Sequence, residues 1–247
     1  LWSAFVDASR GHQDLSEASG KLIHALLARG CSPADARTAR YGHGTPLVYQ
    51  LDVESLGRIA TSQHPQGALG LVSLQSTRGL PETFDFALGM YGIQDPGNVG
   101  TIARSAAAFG ADLLIVSKCA DWRHPRALRA SAGALVSLPV MREDDPAVLL
   151  SLISRIKRSG GTCLGAVAHG GKGLSACELE PPVVVFLGSE ASGLPEWMLE
   201  QMSNLVTVET SGSVESLNVA MAATVLCFEI FSRRSHKGDK AMTRAAS

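Results

Sequence analysis

Three short loops carry most of the residues able to do chemistry. The first, Asp95-Pro96-Gly97-Asn98-Val99-Gly100-Thr101-Ile102-Ala103-Arg104, follows an apolar run and opens an alanine-rich one. Gly97 and Gly100 permit a tight turn with close backbone approach, and the free amides of a new helix can face an anion. Arg104 falls just inside that helix, where its guanidinium can project back toward the loop; the alternative is an ordinary turn with a surface arginine. In the second loop, residues 185–195, an apolar strand ends at Gly188, Glu190 occupies the turn, and Pro195 suits the first position of the next helix. A carboxylate at the mouth of a sheet can orient a substrate or a polar neighbour, or simply cap a helix. In the third, residues 208–220, a strand runs through a Ser/Gly loop into an Ala- and Val-rich helix, with Asn218 near its start. Its amide has two donors and an acceptor, which suits either an orienting group or a local cap.

Loops so far apart need a framework that gathers them. From residue 83 to 236 strand-like and helix-like runs alternate, which predicts an α/β domain with a parallel sheet covered by helices. Strands are expected at 84–91, 112–116, 162–167, 183–188 and 205–208, and helices at 101–109, 125–133, 146–159, 195–203 and 216–234. The stretch 219–231 is apolar on nearly every side, so it is either buried in a large core or shared with a second subunit, and in a domain this size a homodimer contact is the better reading. Arg233, Arg234, His236 and Lys237 would complement the dipole at its end, and residues 237–247 read as a flexible tail. Residues 1–76 read as a separate small α/β module with a helix over 16–29, strands at 47–51 and 69–74, a helix after Asp52 and a polar turn, Gln63-His64-Pro65-Gln66-Gly67. The polar segment 75–82 is the expected linker.

Composition narrows the function classes. The chain has 247 residues, 45% of them hydrophobic and 18% charged, which suits one large and one small folded domain and argues against broad disorder. A net charge of −1 cannot grip nucleic acid through overall charge, so RNA would need local basic patches. Arg123, His124, Arg126 and Arg129 form one, with Arg37, Arg40 and His64 in the small module; a solvated helix face is the plain alternative. Cys31, Cys119, Cys163, Cys177 and Cys227 are scattered, with no spacing that suits zinc, so no metal site is expected and the thiols read as buried groups of a reducing compartment. No apolar run approaches the roughly 20 residues of a membrane span, and the start lacks a signal-peptide pattern, which makes the cytoplasm the expectation. His169-Gly170-Gly171-Lys172-Gly173 has a phosphate-loop texture without the following Ser/Thr, and reads as a flexible turn at a strand end.

Taken in order, the three loops resemble the signature motifs of the SpoU (TrmH-type) RNA 2'-O-ribose methyltransferases of the SPOUT superfamily. The matching residues are Asn98, Gly100 and Arg104; then Gly188, Glu190, Gly193 and Leu194; then Ser216, Leu217 and Asn218. The stretch 129–140 also looks familial. The resemblance spans about residues 84–234, and the preceding module is similar to the small ribosomal-protein-like RNA-binding domain of many members, chiefly through residues 63–67. It implies a C-terminal deep trefoil knot, a homodimer, S-adenosylmethionine as cofactor and structured RNA as substrate, ribosomal or transfer, with ribosomal RNA favoured. It places the cofactor against Leu187, Gly188, Ser189, Gly193, Val208, Leu217 and Asn218, and catalysis at Arg104 with Asn98, Glu190, Ser216 and Asn218. RNA contact would fall to Arg123, Arg126, Arg129 and His64. Members usually carry a proline where this chain has Glu209, which bears on the loop shape and cofactor affinity. The family implicates the Arg104 position in activating the ribose hydroxyl. A guanidinium pKa of about 12 or more disfavours a plain base and favours a clamp on the adjacent phosphate that stabilises the developing alkoxide. The rival readings are a non-catalytic RNA-binding assembly protein that keeps the fold, and a small-molecule enzyme using the same loops for a nucleotide.

Overall fold

The computed structural model describes residues 4–5, 70–71, 74, 76–77, 79–212 and 216–245, with side chains described as far as Arg234. The chain divides into two units, residues 1–74 and 75–247. In the first, β1 (Ala4–Phe5) and β2 (Gly70–Leu71) pair in parallel. The helix expected at 16–29, the strand at 47–51, His64, Arg37 and Arg40 lie outside the described residues, as do Gln75 and Arg78 of the expected linker.

The second unit contains β3 (Phe86–Tyr91), α1 (Pro96–Ala108), β4 (Leu113–Ser117), α2 (Pro125–Ala130), α3 (Ala134–Ser137), β5 (Val140–Arg142), α4 (Pro146–Arg158), β6 (Thr162–Ala166), a 3-10 turn (Leu174–Ala176), β7 (Val183–Leu187), α5 (Glu196–Leu199), β8 (Asn204–Val206) and α6 (Val219–Ala245). Six of these strands form one sheet in the order β5-β4-β3-β7-β6-β8, every pair parallel. Each core strand is a short unbroken apolar run because both faces of the sheet are covered. Alternate residues Ala87, Leu113, Ile115, Cys163, Val184 and Phe186 join Leu149, Leu152, Ile153 and Ile156 of α4 and Met198 of α5 in one buried cluster. The intervening residues Leu88, Met90, Leu114, Val116 and Val185 are just as buried, as are Ile102, Ala103 and Ala106 of α1 and Ala223, Leu226 and Ile230 of α6. Period-two alternation therefore supplies two cores, one on each face.

Local chemistry explains the boundaries. α1 begins at Pro96, five residues before the expected start, because Asp95 caps it: its Oδ1 accepts from the Gly97 N–H at 2.6 Å, and proline fits the first helical turn. Asn98 thus sits in the first turn and Arg104 two turns further on, rather than just inside. Asp145 caps α4 in the same way, accepting from the Ala147 N–H at 2.8 Å. α5 starts one residue after Pro195, which adopts an extended conformation as its cap. β5 was not expected; three residues are too short to show a period, and only its pairing with β4 makes it a strand. α6 continues to Ala245, through the segment expected as a tail. Arg233 and Arg234 are consequently mid-helix side chains with specific partners. Arg233 donates to the carbonyls of Leu174 at 2.6 Å and Cys177 at 2.8 Å, and Arg234 pairs with Asp85 at 3.2 Å.

The sheet order determines which loops meet. β7 lies beside β3, then the chain passes to β8 on the far side of β6, and finally returns so that α6 packs against α1, with Ser105 Oγ and Thr224 Oγ1 2.7 Å apart. The implied trefoil knot is compatible with this return past the end of β7. α1 and α2 touch closely at Gly100, where a Cβ would run into the Ala127 carbonyl. α6 leaves Met221, Val225, Phe228 and Phe231 exposed, and Phe109 stacks edge-on against Phe228 at 5.7 Å. One face of this helix is buried and the other is an exposed apolar stripe.

Candidate active site

At the carboxyl ends of β3 and β7 the three loops converge on one carboxylate oxygen. Glu190 Oε1 accepts from Asn218 Nδ2 at 2.6 Å, from Asn98 Nδ2 at 3.3 Å and from the Val219 N–H at 3.4 Å. Asn218 Nδ2 also lies 3.4 Å from Asn98 Oδ1. The two asparagines are 120 residues apart in the chain. Asn218 does two things at once, since its Oδ1 accepts from the Ala220 N–H at 3.0 Å and so caps α6. The local-cap reading of this residue therefore holds, and its amide additionally bonds Glu190.

Glu190 also borders a cavity of about 710 Å3 over the ends of β7, β6 and β8. Its wall includes Leu187, Gly188, Ser189, Gly193, Val208 and Leu217, six of the seven residues expected to hold a cofactor, and Ser216. Asn218 is bonded to the rim through Glu190 rather than being part of the described wall. The 188–194 loop doubles back so tightly that a Cβ on Gly188 would overlap the backbone of Gly193 and Leu194, and Gly193 itself has a φ of +64°. Ser189 and Ser192 hold that turn, their hydroxyls 2.8 Å apart.

The wall also contains Ala166, Val167, His169, Gly170 and Thr207, which sequence reasoning missed. His169 and Gly170 belong to the segment read as a flexible turn. The structure ties it down: the Gly171 N–H donates to Thr207 Oγ1 at 2.9 Å, Thr207 Oγ1 donates to the Val167 carbonyl at 3.0 Å, and the Lys172 N–H donates to the Leu205 carbonyl at 2.9 Å. The one available signal was the position of 167–170 at the end of a strand, where α/β ligands sit.

Arg104 is exposed on α1 and makes no hydrogen bond or ion pair among the described residues. It is not part of the described cavity wall, and no bond joins it to the amide–carboxylate junction. The basic patch sorts unevenly. Arg126 pairs with Asp95 at 3.4 Å and so stands at the start of α1, beside the Asn98 turn. Arg123 is half-buried, lies 5.2 Å from the centre of the Trp122 ring and pairs with Asp121 at 3.4 Å. Arg129 is exposed on α2. Among the described residues no cluster of His, Cys, Asp and Glu could hold a metal, and no helix is long and apolar enough to cross a membrane. The described cysteines are free and buried; burial pushes the Cys119 thiol up to about 11 and those of Cys163 and Cys227 up to about 12.

A doubly covered parallel sheet with its cavity at the strand ends defines a ligand-binding α/β protein. The particular kind follows from comparison with known proteins. Residues 85–228 match the model of the SpoU rRNA methylase family, and the chain belongs to that family. It is 32% identical over 183 residues to an uncharacterized tRNA/rRNA methyltransferase of Synechocystis, covering 73% of this chain and 66% of that one. It is 34% identical over 143 residues to a 23S rRNA (uridine(2479)-2'-O)-methyltransferase of Streptomyces viridochromogenes, covering 56% of this chain and 50% of the relative. The chain thus spans between half and two thirds of the length of these relatives. Among solved structures, a putative RNA methyltransferase of the TrmH family from Porphyromonas gingivalis superposes with a TM-score of 0.65 at 29% identity, covering 85% of each chain. The SpoU methyltransferase AviRb of Streptomyces viridochromogenes, solved with AdoMet, shares the fold at a TM-score of 0.70 and 23% identity, over 91% of this chain and 94% of that one.

Proposed function

We propose that this chain transfers a methyl group from S-adenosylmethionine to a ribose 2'-hydroxyl of structured RNA, ribosomal in preference to transfer RNA. The observation that carries the reading is the junction of Asn98, Glu190 and Asn218 at the rim of the 710 Å3 cavity. A small-molecule enzyme or a non-catalytic binder has no evident need for those three side chains to share one oxygen. The named 23S rRNA 2'-O-methyltransferase among the relatives supports the choice of ribose and of ribosomal RNA.

The residues present fit the cofactor. The cavity falls within the roughly 300–1,000 Å3 typical of ligand sites, and its wall combines Leu187, Leu199, Val206 and Leu217 with glycine-rich main chain. Leu187, Gly188, Ser189, Gly193, Val208 and Leu217 would hold the cofactor, with Asn218 supporting the rim through Glu190. Bound there, S-adenosylmethionine supplies an electrophilic sulfonium methyl.

The chain's own task is to align the ribose and remove a proton. Alignment alone is worth roughly 7–11 kcal/mol in well-oriented model reactions. Arg104, unpaired among the described residues, is available to clamp a phosphate beside the target ribose and to stabilise charge growing on the hydroxyl oxygen. The phosphate is then the proton's first acceptor. Asn98, Glu190 and Asn218 keep the α1, β7 and α6 loops in one relative position while RNA enters, with Ser216 at the rim. Arg126 and Arg129 contribute positive charge on the α2 side, and Arg123, held by Trp122 and Asp121, adds to the field more than to direct contact; His64 would belong to the small module's share of RNA binding. The exposed stripe of Met221, Val225, Phe228 and Phe231 suits a homodimer, since an apolar helix face of this kind is rarely left in water. The cytoplasm, where RNA is processed, is the corresponding location.

Purified protein given tritiated cofactor with ribosomal or transfer RNA transcripts tests this directly, followed by mapping of 2'-O-methyl positions in RNA from cells with and without the gene. Label on a ribose of ribosomal RNA is expected. Label on a base, or none on any RNA with cofactor bound, would overturn the reading.

A further inference from the structure

The chain after β6 crosses over its neighbour at the edge of the cavity. Val206 of β8 pairs with Ala166 of β6 on one side and with Lys172 on the other. The Val167 N–H donates to the Val206 carbonyl at 2.9 Å, and further on the Lys172 N–H donates to the Leu205 carbonyl, also at 2.9 Å. Residues 168–171 therefore arch across the carboxyl end of β8, from one edge of that strand to the other. Ala168, His169 and Gly170 at the crown of the arch belong to the cavity wall, as do Val206 and Thr207 at the end of the strand it crosses.

One side chain closes the arch. Thr207 Oγ1 donates to the Val167 carbonyl at 3.0 Å and accepts from the Gly171 N–H at 2.9 Å, so a single hydroxyl ties both feet. The Thr207 N–H is itself fixed on the Lys172 carbonyl at 3.0 Å. The tie needs a hydroxyl because that group donates and accepts at once, which an aliphatic side chain of the same shape cannot do. The fit is close. A Cβ on Gly171 would lie 2.6 Å from Thr207 Oγ1 and 2.6 Å from the Val206 carbonyl carbon, so this foot of the arch has room only for glycine. The crown, 168–170, makes no hydrogen bond of its own among the described residues, which leaves the Thr207 hydroxyl to hold it.

We infer that Thr207 is a positioning residue for the cofactor: it seats the arch on the end of β8 and so fixes the 168–170 side of the cavity against the 206–208 side. The inference rests on the cofactor reading above. Without the hydroxyl, the Val167 carbonyl and the Gly171 N–H turn to water and the crown is free to drift from the strand. The ligand then meets a wall that must be ordered as it binds, and affinity falls. The transfer step itself is untouched. An interaction present equally in the bound state and in the transition state alters KM and leaves kcat alone.

Calorimetry with S-adenosylmethionine and steady-state methyl transfer to ribosomal RNA test this on the full chain, in wild type, Thr207→Val, Thr207→Ser and Gly171→Ala. Thr207→Val keeps the shape and loses both bonds. It should weaken the cofactor and raise its KM about tenfold, with kcat at saturating cofactor and the KM for RNA within about twofold. Thr207→Ser retains the hydroxyl and should bring affinity back to within about threefold of wild type. Gly171→Ala, with the hydroxyl intact and the foot displaced, should lose affinity as Thr207→Val does. A change that merely destabilised the fold would lower the active fraction, and with it kcat, at unchanged KM. Wild-type affinity in Thr207→Val or Gly171→Ala, a loss of kcat without a change in KM, or no rescue by serine would overturn the role of Thr207 while leaving the cofactor reading intact. If Thr207→Val does not fold, Gly171→Ala and Thr207→Ser decide by the same criteria. A wild-type chain that binds no S-adenosylmethionine would overturn both.

Discussion

Asn218 allows the junction and the helix cap to be separated experimentally. Its Nδ2 donates to Glu190 at 2.6 Å, and its Oδ1 accepts from the Ala220 N–H at 3.0 Å. Asn218→Ala removes both bonds. Losing the cap costs about 1 kcal/mol. A hydrogen bond to a carboxylate is worth roughly 1.5–3 kcal/mol, but here both partners are exposed and water recovers much of it, leaving about 0.5–1 kcal/mol. The sum, about 1.5–2 kcal/mol, lowers Tm by about 3–8 °C in a chain of this size. Asn218→Ser keeps an oxygen able to cap α6 but has no amide to reach Glu190, so it should lose only about 1–4 °C by the same conversion. Turnover separates differently. Both variants remove the side-chain tie to Glu190 and leave only the longer Val219 N–H bond at 3.4 Å, and a displacement of about 1 Å at such a site can cost on the order of 100-fold in rate. Calorimetry gives the first quantity, and tritium transfer to ribosomal RNA at saturating cofactor gives the second. An Asn218→Ser chain with wild-type turnover would show that the junction has no part in the reaction. Equal loss of Tm in the two variants would show that the cap oxygen contributes nothing.

Three further outcomes are expected. Arg104→Ala should abolish methyl transfer while leaving S-adenosylmethionine affinity within about twofold by calorimetry, because Arg104 is not part of the described cavity wall; a tenfold loss of affinity would place it against the cofactor instead. Phe228→Glu puts a charge into the exposed stripe of α6, where Phe228 is 56% exposed and so carries little of the core, and should shift the protein toward monomer in analytical ultracentrifugation with little change in Tm. Burial raises the thiols of Cys163 and Cys227 to about 12 and that of Cys119 to about 11. They should resist iodoacetamide at pH 8 in the folded chain and react in denaturant. Because the folded chain favours the protonated form, the linked stability is complete below the ordinary thiol value of 9.0 and is lost as pH rises toward 11–12; a stability curve flat through that range would contradict it.

All the strands of the sheet except β5 were plain in the sequence, because a strand buried on both faces must be apolar throughout and stands out from its neighbours. β7, Val-Val-Val-Phe-Leu, is the clearest instance. Glu190, Asn98 and Asn218 could be picked out one at a time as polar residues misplaced in apolar surroundings. The order of the strands was not legible. Local composition records what each segment must bury, whereas adjacency depends on which buried faces complement each other across long sequence separations. Only the order β3-β7-β6-β8 brings residues 98, 190 and 218 onto one oxygen, and only that order sets the end of β6, with His169 and Gly170, between the loops after β7 and β8. The early start of α1 was written in the residues, since Asp95 before Pro96 is a cap followed by a helix-compatible proline, yet Gly97 drew attention to a loop instead. The position of Arg104 followed from that start. Chemistry, then, was inscribed residue by residue, while the meeting of those residues was decided by packing.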